Sequence, residues 1–261
     1  MSELAQWRDE AVRIAEEAGR LLMEGWRGDT RVSKKGRIDL VTDYDLKSEA
    51  LLRERMTAAF PDHALVAEEG QDRAEGELVW YVDPLDGTTN FAHGHFFFAV
   101  SIGLARAGRP VLGVVHAPAL GVTWAGAEGL GATRAGAACE PSATDTLEEA
   151  LVATGFPYDR GTSDENNLRE ARHIIPLVRG IRRCGAAAVD VCLVADGTYD
   201  GYWEQKVSPW DVCAGMAIVR AAGGELSDYE GNAVDAHSSR LVVTNGPLHP
   251  ALLDAVQTAR R

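Results

Sequence analysis

The sequence has few cysteines and no long apolar run. Its four cysteines, Cys139, Cys184, Cys192 and Cys213, form no CxxC pair and have no histidines at zinc-site spacing. We therefore expect reduced thiols in the core. No stretch of about 18 or more apolar residues occurs, which excludes a membrane-spanning helix. The polar, acidic first ten residues are unlike a secretory signal, so a cytoplasmic location is expected.

An excess of basic residues is also missing. The chain has 26 Lys and Arg against 39 Asp and Glu, a formal net charge of −13. This balance argues against a nucleic-acid-binding surface. It does not argue against a phosphorylated ligand, because a bound divalent ion can reverse the local sign of a carboxylate-rich cleft.

Apolar periodicity predicts alternating helices and strands. A length of 261 residues, 46% of them hydrophobic, can form one large layered domain or two closely joined halves. We place the boundary between halves within 141–146, which gives an N-terminal half, 1–141, and a C-terminal half, 142–261. The first half contains predicted helices at 3–26 and 45–60, the second of these capped by Asp45 and ended by Pro61. Its predicted strands are 40–42, 78–82, 97–104, 111–116 and short pieces around Thr123 and Gly131.

The second half has a different alternation. Strands are predicted at 150–154, 201–204 and 241–244. Helices are predicted at 164–179, 186–195, 210–222 and after Pro250, with the helix at 210–222 ended by Gly223. The whole chain is thus a mixed α and β protein in which helices cover sheets.

The segment from Trp80 to Phe91 carries the strongest chemical signal. An apolar strand ends in Asp83 and Asp86, within a turn fixed by Pro84 and Gly87. Two converging carboxylates repel each other unless a cation lies between them, and Mg²⁺ prefers oxygen ligands of this kind. The Leu85 carbonyl can add a neutral ligand.

Gly87, Thr88 and Thr89 follow at once and can open a helical turn. Free backbone N–H groups at such a turn cradle a phosphate. The alternative is an ordinary β-turn in which the two aspartates only cap local structure, since DxxDG is common by itself.

Three further acidic features are weak individually. Glu68 and Glu69 follow an apolar strand-like run, and they could join the same cluster or lie in a solvated loop. Asp45, beside Asp43, is most simply a helix cap, and Asp211 after Trp210 has the same simple explanation.

In combination these features resemble the inositol monophosphatase family of Mg²⁺-dependent, lithium-sensitive phosphatases. The resemblance runs from about Lys34 to Asn245. Its matching segments, in chain order, are Asp39-Leu40-Val41-Thr42 with Asp45, Glu68-Glu69, the run from Asp83 to Phe91, and Trp210-Asp211 with Ala221-Ala222-Gly223-Gly224.

The resemblance implies a layered α/β/α/β/α sandwich, with the N-terminal half supplying most metal ligands. One Mg²⁺ would be bound by Glu68, Asp83 and the Leu85 carbonyl, and a second by Asp83, Asp86 and Asp211. Glu68 would help to hold a weaker third ion, and Mn²⁺ is a candidate substitute. It also implies a homodimer.

The same resemblance assigns roles around the substrate. Catalysis would depend on Glu68 and on a hydrogen-bonded pair, Asp45 and Thr88, that orients or deprotonates the attacking water. Phosphate would be bound by the N–H groups of Gly87 and Thr88. The residues expected at the substrate are Asp86, Gly185, Ala187, Glu204 and Asp211.

The preferred substrate is an inositol monophosphate. Relatives acting on nucleotide bisphosphates, and many acting on histidinol phosphate, carry lysine at the position of Thr89. Alternatives that stay open are fructose 1,6-bisphosphate or a broad range of sugar phosphates, histidinol phosphate, and a non-enzymatic role with transcription or RNA-processing partners. Two departures from the family pattern are Ala186, where relatives often carry Thr or Ser, and the basic loop Lys34-Lys35-Gly36-Arg37. From the sequence, this loop is most simply expected to be mobile, and the alternative is that it attracts a second phosphate.

Overall fold

The computed structural model describes residues 2–28, 31–34, 40–70 and 75–261. Of the basic loop at 34–37, only Lys34 belongs to these residues, and Asp39 lies outside them. The helices are α1 Glu3–Gly25, α2 Asp43–Ala59, α3 Thr88–Ala92, α4 Leu168–Ile174, α5 Ala187–Ala195, α6 Pro209–Ala222 and α7 His249–Arg260. Among the described residues, no helix combines the length and apolar character needed to cross a membrane.

The strands form three sheets. They are β1 Val32–Lys34, β2 Leu40–Thr42, β3 Ala64–Ala67, β4 Leu78–Asp86, β5 Ala99–Arg106, β6 Arg109–Ala117, β7 Val122–Ala127, β8 Gly131–Arg134, β9 Ala137–Ala138, β10 Leu151–Thr154, β11 Gly180–Arg182, β12 Gly201–Gln205, β13 Glu225–Ser227 and β14 Arg240–Thr244. The sheet orders are β1-β2, β3-β4-β5-β6-β7-β8-β9 and β11-β10-β12-β14-β13.

The helices and the two large sheets stack in five layers. Helices α1 and α2 cover one face of the seven-stranded sheet, and α6 packs on its other face. With its neighbour α5, α6 also contacts the five-stranded sheet, whose far face is covered by α7 with α4 against it. Separate apolar clusters fill the spaces between layers. The predicted α/β/α/β/α sandwich is confirmed.

The seven-stranded sheet presents the end of β4 to the middle layer. β3 runs parallel to β4, whereas the strands from β4 to β9 pair antiparallel in sequence order. The pairing of β4 with β5 is interrupted between Asp83 and Asp86. This irregularity turns the last residues of β4 out of the regular pleat, where they are free to serve a site.

Helix α6 approaches the sheet very closely because glycines lie beneath it. A Cβ atom at Gly103 would come within 2.5 Å of the Ala214 backbone nitrogen, and one at Gly113 would collide with the Ala214 carbonyl. A larger residue at either position would push the helix away from the sheet. The close packing carries the start of α6, and with it Asp211, to the end of β4.

Three sequence predictions about helices need correction. Asp45 does not cap α2, because the helix begins at Asp43 with Thr42 as its N-cap residue and Asp45 as its third residue. Asp211 likewise is the third residue of α6, after the cap Ser208. In both helices the cap hydroxyl and the third-residue carboxylate bond reciprocally to backbone N–H groups, a capping box.

The third correction concerns the helix predicted over 164–179. The observed α4 spans only Leu168–Ile174. Ile175 still donates its N–H to the Ala171 carbonyl, but Pro176 has no N–H to continue the hydrogen-bond pattern, so the helix ends before it. Upstream, the Asn166 side chain donates to the Ser163 carbonyl at 2.7 Å, which stabilises a turn instead of a helix.

The division of the chain into halves 1–141 and 142–261 stays a prediction. The seven-stranded sheet comes entirely from strands before residue 139, and the five-stranded sheet from strands after residue 150. However, α5 and α6 belong to the second half and pack against both sheets, so much of the core is shared.

Candidate active site

The turn at the end of β4 is held by hydrogen bonds on both sides. The Leu85 N–H donates to Asp83 Oδ1 at 2.9 Å. The Ser48 hydroxyl, from α2, donates to the Pro84 carbonyl at 2.9 Å. Asp83 is 2% exposed and Asp86 is 7% exposed. The two carboxylates of the predicted motif are therefore fixed by a rigid turn rather than carried on a mobile loop.

Helix α3 begins at this turn, as predicted. Gly87 precedes it in a left-handed conformation, with φ of 91°. A Cβ atom at Gly87 would also lie 3.0 Å from the Phe97 carbonyl oxygen, so both backbone and space favour glycine. The first N–H groups of a helix have no partner within the helix, and Gly87 and Thr88 line a cleft here.

Asp45 and Thr88 form the predicted hydrogen bond. The Thr88 hydroxyl donates to Asp45 Oδ1 at 2.8 Å. Asp45 Oδ2 accepts from the Thr42 N–H at 2.8 Å and from the Thr42 hydroxyl at 2.5 Å. The Asp45 side chain is fully buried, so its place in the capping box fixes the oxygen that Thr88 contacts.

Two further acids are held by helix N-termini. Asp86 Oδ1 accepts from the Ala187 N–H at 3.1 Å and Oδ2 from the Ala188 N–H at 2.8 Å, at the start of α5. Asp211 Oδ2 accepts from the Ser208 N–H at 2.7 Å, at the start of α6. The positive end of a helix dipole favours a carboxylate, so both helices place negative charge at the cleft.

The other predicted residues reach the same cleft from both sheets. The cleft is lined by Glu68, Asp83, Leu85, Asp86, Gly87, Thr88, Gly185, Ala187, Glu204 and Asp211. Asp45 lies behind Thr88. The Glu204 carboxylate accepts a hydrogen bond from the Tyr202 hydroxyl and packs directly over Gly155. Residues separated by up to 143 positions thus meet at one place.

The cleft carries unbalanced negative charge. Burial raises the pKa of Asp83 well above its ordinary value, and the charges of Glu68, Asp86 and Asp211 raise it further. Burial raises the pKa of Asp86 to about 7 despite two stabilising N–H bonds, and that of Glu204 to about 7. Burial also raises the pKa of Asp211, again with help from Asp86 and Glu68. These side chains are close enough to repel one another.

Sequence reasoning missed several residues of the cleft. Asp190 on α5 lines it and is 2% exposed, and its Oδ1 finds no partner among the described residues. Burial, followed by the charges of Asp86 and Glu204, raises the pKa of Asp190 well above its ordinary value. A single acid in the apolar run 186–195 was the available signal, since a buried carboxylate needs a reason to be there.

Loops supply the rest of what was missed. Arg183 and Lys206 line the cleft, as does the segment Gly155-Phe156-Pro157-Tyr158 after β10. None of these lies in a pattern that single-sequence reasoning could join to the Asp83–Thr88 motif, because the contact is made only when β10, β11 and β12 pair side by side.

The donor set is chemically suited to a hard divalent cation. Four carboxylates, those of Glu68, Asp83, Asp86 and Asp211, line one cleft with the backbone of Leu85. Mg²⁺ takes ligands of this kind, and a cation would relieve the repulsion that raises the pKa values there. Among the described residues, no cysteine or histidine lines this cleft.

Comparison with known proteins agrees with this geometry. A sequence model described as the inositol monophosphatase family matches residues 3–261. The inositol-1-monophosphatase of Synechocystis sp. is 40% identical over 258 residues, which cover 98% of this chain and 90% of that protein. The Nus factor SuhB of Pseudomonas aeruginosa is 38% identical over 255 residues, covering 95% of this chain and 94% of that protein.

A solved structure gives the same result. The inositol monophosphatase from Anabaena (Nostoc) sp. superposes with a TM-score of 0.91 at 37% identity, covering 98% of this chain and 97% of that one. The five-layer sandwich and its carboxylate-lined cleft define the class of metal-dependent phosphoric monoester hydrolases. Within that class, the chain belongs to the inositol monophosphatase family.

Proposed function

We propose that this protein hydrolyses inositol monophosphate to inositol and phosphate, with Mg²⁺ and a water nucleophile. The observation that carries the proposal is one cleft that unites four carboxylates, the start of α3 and the Asp45–Thr88 hydrogen bond. The names of the Synechocystis and Anabaena relatives support the substrate.

The metal ligands in this proposal are Glu68, Asp83, the Leu85 carbonyl, Asp86 and Asp211, for two or three ions. As oriented here, no three acidic, histidine or cysteine side chains of the described residues converge closely enough to hold an ion. Asp83 and Asp211 each direct one oxygen to a backbone N–H, and Asp86 directs both, so these carboxylates would have to share or reorient their oxygens to hold an ion. Bound ions of this kind activate water and stabilise the charge of the leaving oxygen.

The protein's own groups handle the phosphate and the proton. The N–H groups of Gly87 and Thr88 bind phosphate oxygens. The Thr88 hydroxyl already donates to Asp45, so its oxygen can accept a proton from water while its own proton moves to Asp45. Burial, more than any other effect, raises the pKa of Asp45, which makes it a better proton acceptor. Glu68, which also lines the cleft, completes the catalytic set.

Substrate hydroxyls contact the second half of the chain. Glu204 is an acceptor for polyol hydroxyls, and the backbone at Gly185 and Ala187 shapes the floor of the cleft. Asp86 and Asp211 would contact the substrate as well as hold a metal ion. A site built to accept hydrogen bonds from hydroxyls disfavours ligands that lack them, because its polar groups would stay unpaired.

Phosphate release from a substrate panel tests this proposal. The panel contains inositol 1-phosphate, fructose 1,6-bisphosphate, histidinol phosphate and adenosine 3′,5′-bisphosphate, each with Mg²⁺ and with EDTA or lithium added. We expect inositol 1-phosphate to be turned over fastest, and EDTA and lithium to stop turnover. Equal rates with EDTA would contradict the metal assignment, and a faster rate with another compound would transfer the proposal to it.

We further propose a cytoplasmic homodimer in which Mn²⁺ can replace Mg²⁺. Size measurement in solution tests the dimer, and metal titration of the activity tests the replacement.

A second candidate function is binding to a transcription complex. This candidate is supported by the name of the Pseudomonas aeruginosa relative, Nus factor SuhB. A pull-down with Asp86→Asn separates the two functions, because a partner retained by this variant binds independently of catalysis. If neither the unmodified protein nor Asp86→Asn captures a partner in the pull-down, hydrolysis alone remains as the function.

A further inference from the structure

Helix α5 carries a single acid in an otherwise apolar sequence. Its residues, Ala187–Ala195, are alanine, valine, leucine and cysteine apart from Asp190. Asp190 is 2% exposed and lines the carboxylate-lined cleft. It does not serve as a cap for the helix, because the N–H groups at the start of α5 donate to Asp86 instead. The acid therefore has no evident role in forming α5.

One oxygen of Asp190 has no protein partner. Oδ1 is buried and accepts no hydrogen bond from the described residues, and among those residues no other acid has a buried oxygen in this condition. Glu170, which is also 2% exposed, accepts a hydrogen bond from Arg260 Nη1 at 2.6 Å. A buried carboxyl oxygen without a donor destabilises the folded chain. A purely structural role therefore does not explain Asp190.

The orientation of the Asp190 side chain is nevertheless restricted. Burial raises the pKa of Asp190, and a hydrogen bond from the Cys184 side chain opposes that rise. Cys184 Sγ also lies 3.5 Å from the Tyr199 hydroxyl, and the Cys184 carbonyl accepts from Asn90 Nδ2 at 2.9 Å. The group that contacts Asp190 is thus itself held on two sides. Such support keeps a recognition group in one position before the ligand arrives.

The charges that act on Asp190 belong to residues of the same cleft. After burial, the charges of Asp86 and Glu204 raise the pKa of Asp190, whereas that of Arg183 lowers it. Arg183 also lowers the pKa of Glu204, against the larger effect of burial. Charges act on one another strongly only at short range. Asp190 therefore lies at the end of the cleft where, in the proposed function, Glu204 contacts the polyol.

A neutral hydrogen-bond donor is the ligand group that suits Oδ1 of Asp190. An anionic group would be repelled by Asp86, Glu204 and Asp190 together. A hydroxyl group donates one O–H and adds no charge. It would supply the donor that the protein does not provide, and so relieve the unfavourable burial of the carboxyl group.

We propose that Asp190 is a specificity-determining residue whose Oδ1 accepts a hydrogen bond from a hydroxyl group of the substrate's alcohol portion. The inference rests on the proposed function and deepens it. Two acceptors, Glu204 and Asp190, would favour phosphate esters of alcohols that carry several hydroxyls over esters of alcohols that carry none, since the latter leave both carboxyl groups unpaired. An acid that destabilises the fold and improves binding is a trade-off between stability and activity.

Two substrates that share the reacting phosphate test this role. Inositol 1-phosphate carries hydroxyls on its alcohol portion, and p-nitrophenyl phosphate carries none. Asp190→Leu should lower the ratio of their kcat/KM values, inositol 1-phosphate over p-nitrophenyl phosphate, by about 10-fold. Asp190→Asn keeps an acceptor oxygen and should lower the ratio less. Glu170→Gln is the control, because Glu170 is equally buried and does not line the cleft. A ratio unchanged by both Asp190 substitutions would overturn the proposal.

Thermal unfolding separates recognition from a structural role. Asp190→Asn should leave Tm in EDTA unchanged or raise it, because the substitution removes a buried acid that lacks a donor. Glu170→Gln should lower Tm, because it leaves the Arg260 guanidinium without its buried partner. A fall in Tm for Asp190→Asn as large as that for Glu170→Gln, together with an unchanged substrate ratio, would assign Asp190 to the fold and contradict the proposal.

A binding measurement keeps the test independent of turnover. Calorimetric titrations with inositol and with inorganic phosphate, both in Mg²⁺, report the two portions of the substrate separately. Asp190→Leu should weaken the binding of inositol by about 10-fold and leave that of phosphate unchanged. This result supports the role of Asp190 even if inositol 1-phosphate is not hydrolysed, an outcome that would contradict only the proposed function. Equal affinity of both proteins for inositol, or no binding of inositol by the unmodified protein, would overturn the inference.

Discussion

The acidic and basic ends of the cleft are built differently. At the acidic end, a strand end, the N-termini of α2, α5 and α6 and the Thr88 hydroxyl hold the carboxylates through hydrogen bonds. At the basic end, a second cavity beside the cleft, Arg160 comes from the loop after β10, Arg183 from the segment after β11, and Thr89 from α3. Rigid elements can hold like charges together against their repulsion, whereas loops suffice to recognise the outer part of a ligand.

The largest expected effect is at the acidic end. Asp86→Asn should lower kcat more than the roughly 10–100-fold that losing a partner of a metal ligand costs. Asp200→Asn is the matched control, because Asp200 is also 7% exposed and also accepts two hydrogen bonds, from the Ser142 hydroxyl and the Leu151 N–H. Steady-state kinetics on inositol 1-phosphate measure both variants. Comparable activities of the two variants, with intact folds by circular dichroism, would remove Asp86 from the metal site.

The acidic end was also the more predictable from sequence. Asp83, Asp86, Gly87 and Thr88 are neighbours in the chain, so one strand-turn-helix pattern fixes their relation. The local sequence predicts Asp45 and Asp211 most simply as N-caps, but each occupies the third position of a capping box. A carboxylate at the third position bonds through Oδ2 to the N–H of the cap residue, so its Oδ1 is the oxygen that remains for the site.

The basic end of the cleft was not predictable in the same way. Thr89, Arg160 and Arg183 are far apart in the chain, and two of them lie in irregular segments. These residues come together only because β10 pairs in parallel with β11 and β12. The hydrophobic periodicity of the sequence does not indicate such a pairing. Sheet order and loop conformation depend on contacts between residues far apart in the chain. Local patterns therefore predicted the layers of the fold but not this part of the site.

The next effect separates substrate recognition from catalysis. Glu204→Ala should lower kcat/KM for inositol 1-phosphate by about 10-fold or more, because polyol hydroxyls lose a charged acceptor. p-Nitrophenyl phosphate lacks those hydroxyls and should lose much less. Parallel kinetics on the two substrates measure the difference, and Glu204→Gln, which keeps the shape of the side chain, is the conservative control. Equal losses on both substrates would show that Glu204 does not recognise the polyol.

A smaller effect concerns stability and pH. The pKa values of Asp86 and Glu204 are raised to about 7 in the folded chain, so the folded state binds protons that the unfolded state releases at lower pH. This stability is complete at low pH and is lost as pH rises through about 7. Without metal, we therefore expect Tm to fall by about 5 °C or more between pH 6 and pH 8.

Thermal unfolding in EDTA and in Mg²⁺ measures that dependence. Mg²⁺ should raise Tm more at pH 8 than at pH 6, because ions bind the deprotonated carboxylates. Asp86→Asn removes one titrating group and should reduce the slope in EDTA. A Tm in EDTA that rises with pH would show that the acids are not held protonated by the folded chain.

The smallest effect tests the loop side of the cleft. Lys206 Nζ contacts Asp159 Oδ2 at 2.5 Å and the Ser163 hydroxyl at 2.9 Å, which ties the loop carrying Arg160 to the end of β12. The two charged side chains are 37% and 49% exposed, and such pairs are worth about 0–1 kcal/mol. Asp159→Asn should therefore raise KM for inositol 1-phosphate by no more than about 5-fold. Glu128→Gln, which breaks the exposed Arg109–Glu128 pair far from the cleft, is the control. An effect as large as that of Asp86→Asn would mean that the loop takes part in the reaction itself, and the contrast between a rigid reacting end and an adjustable recognition end would no longer hold.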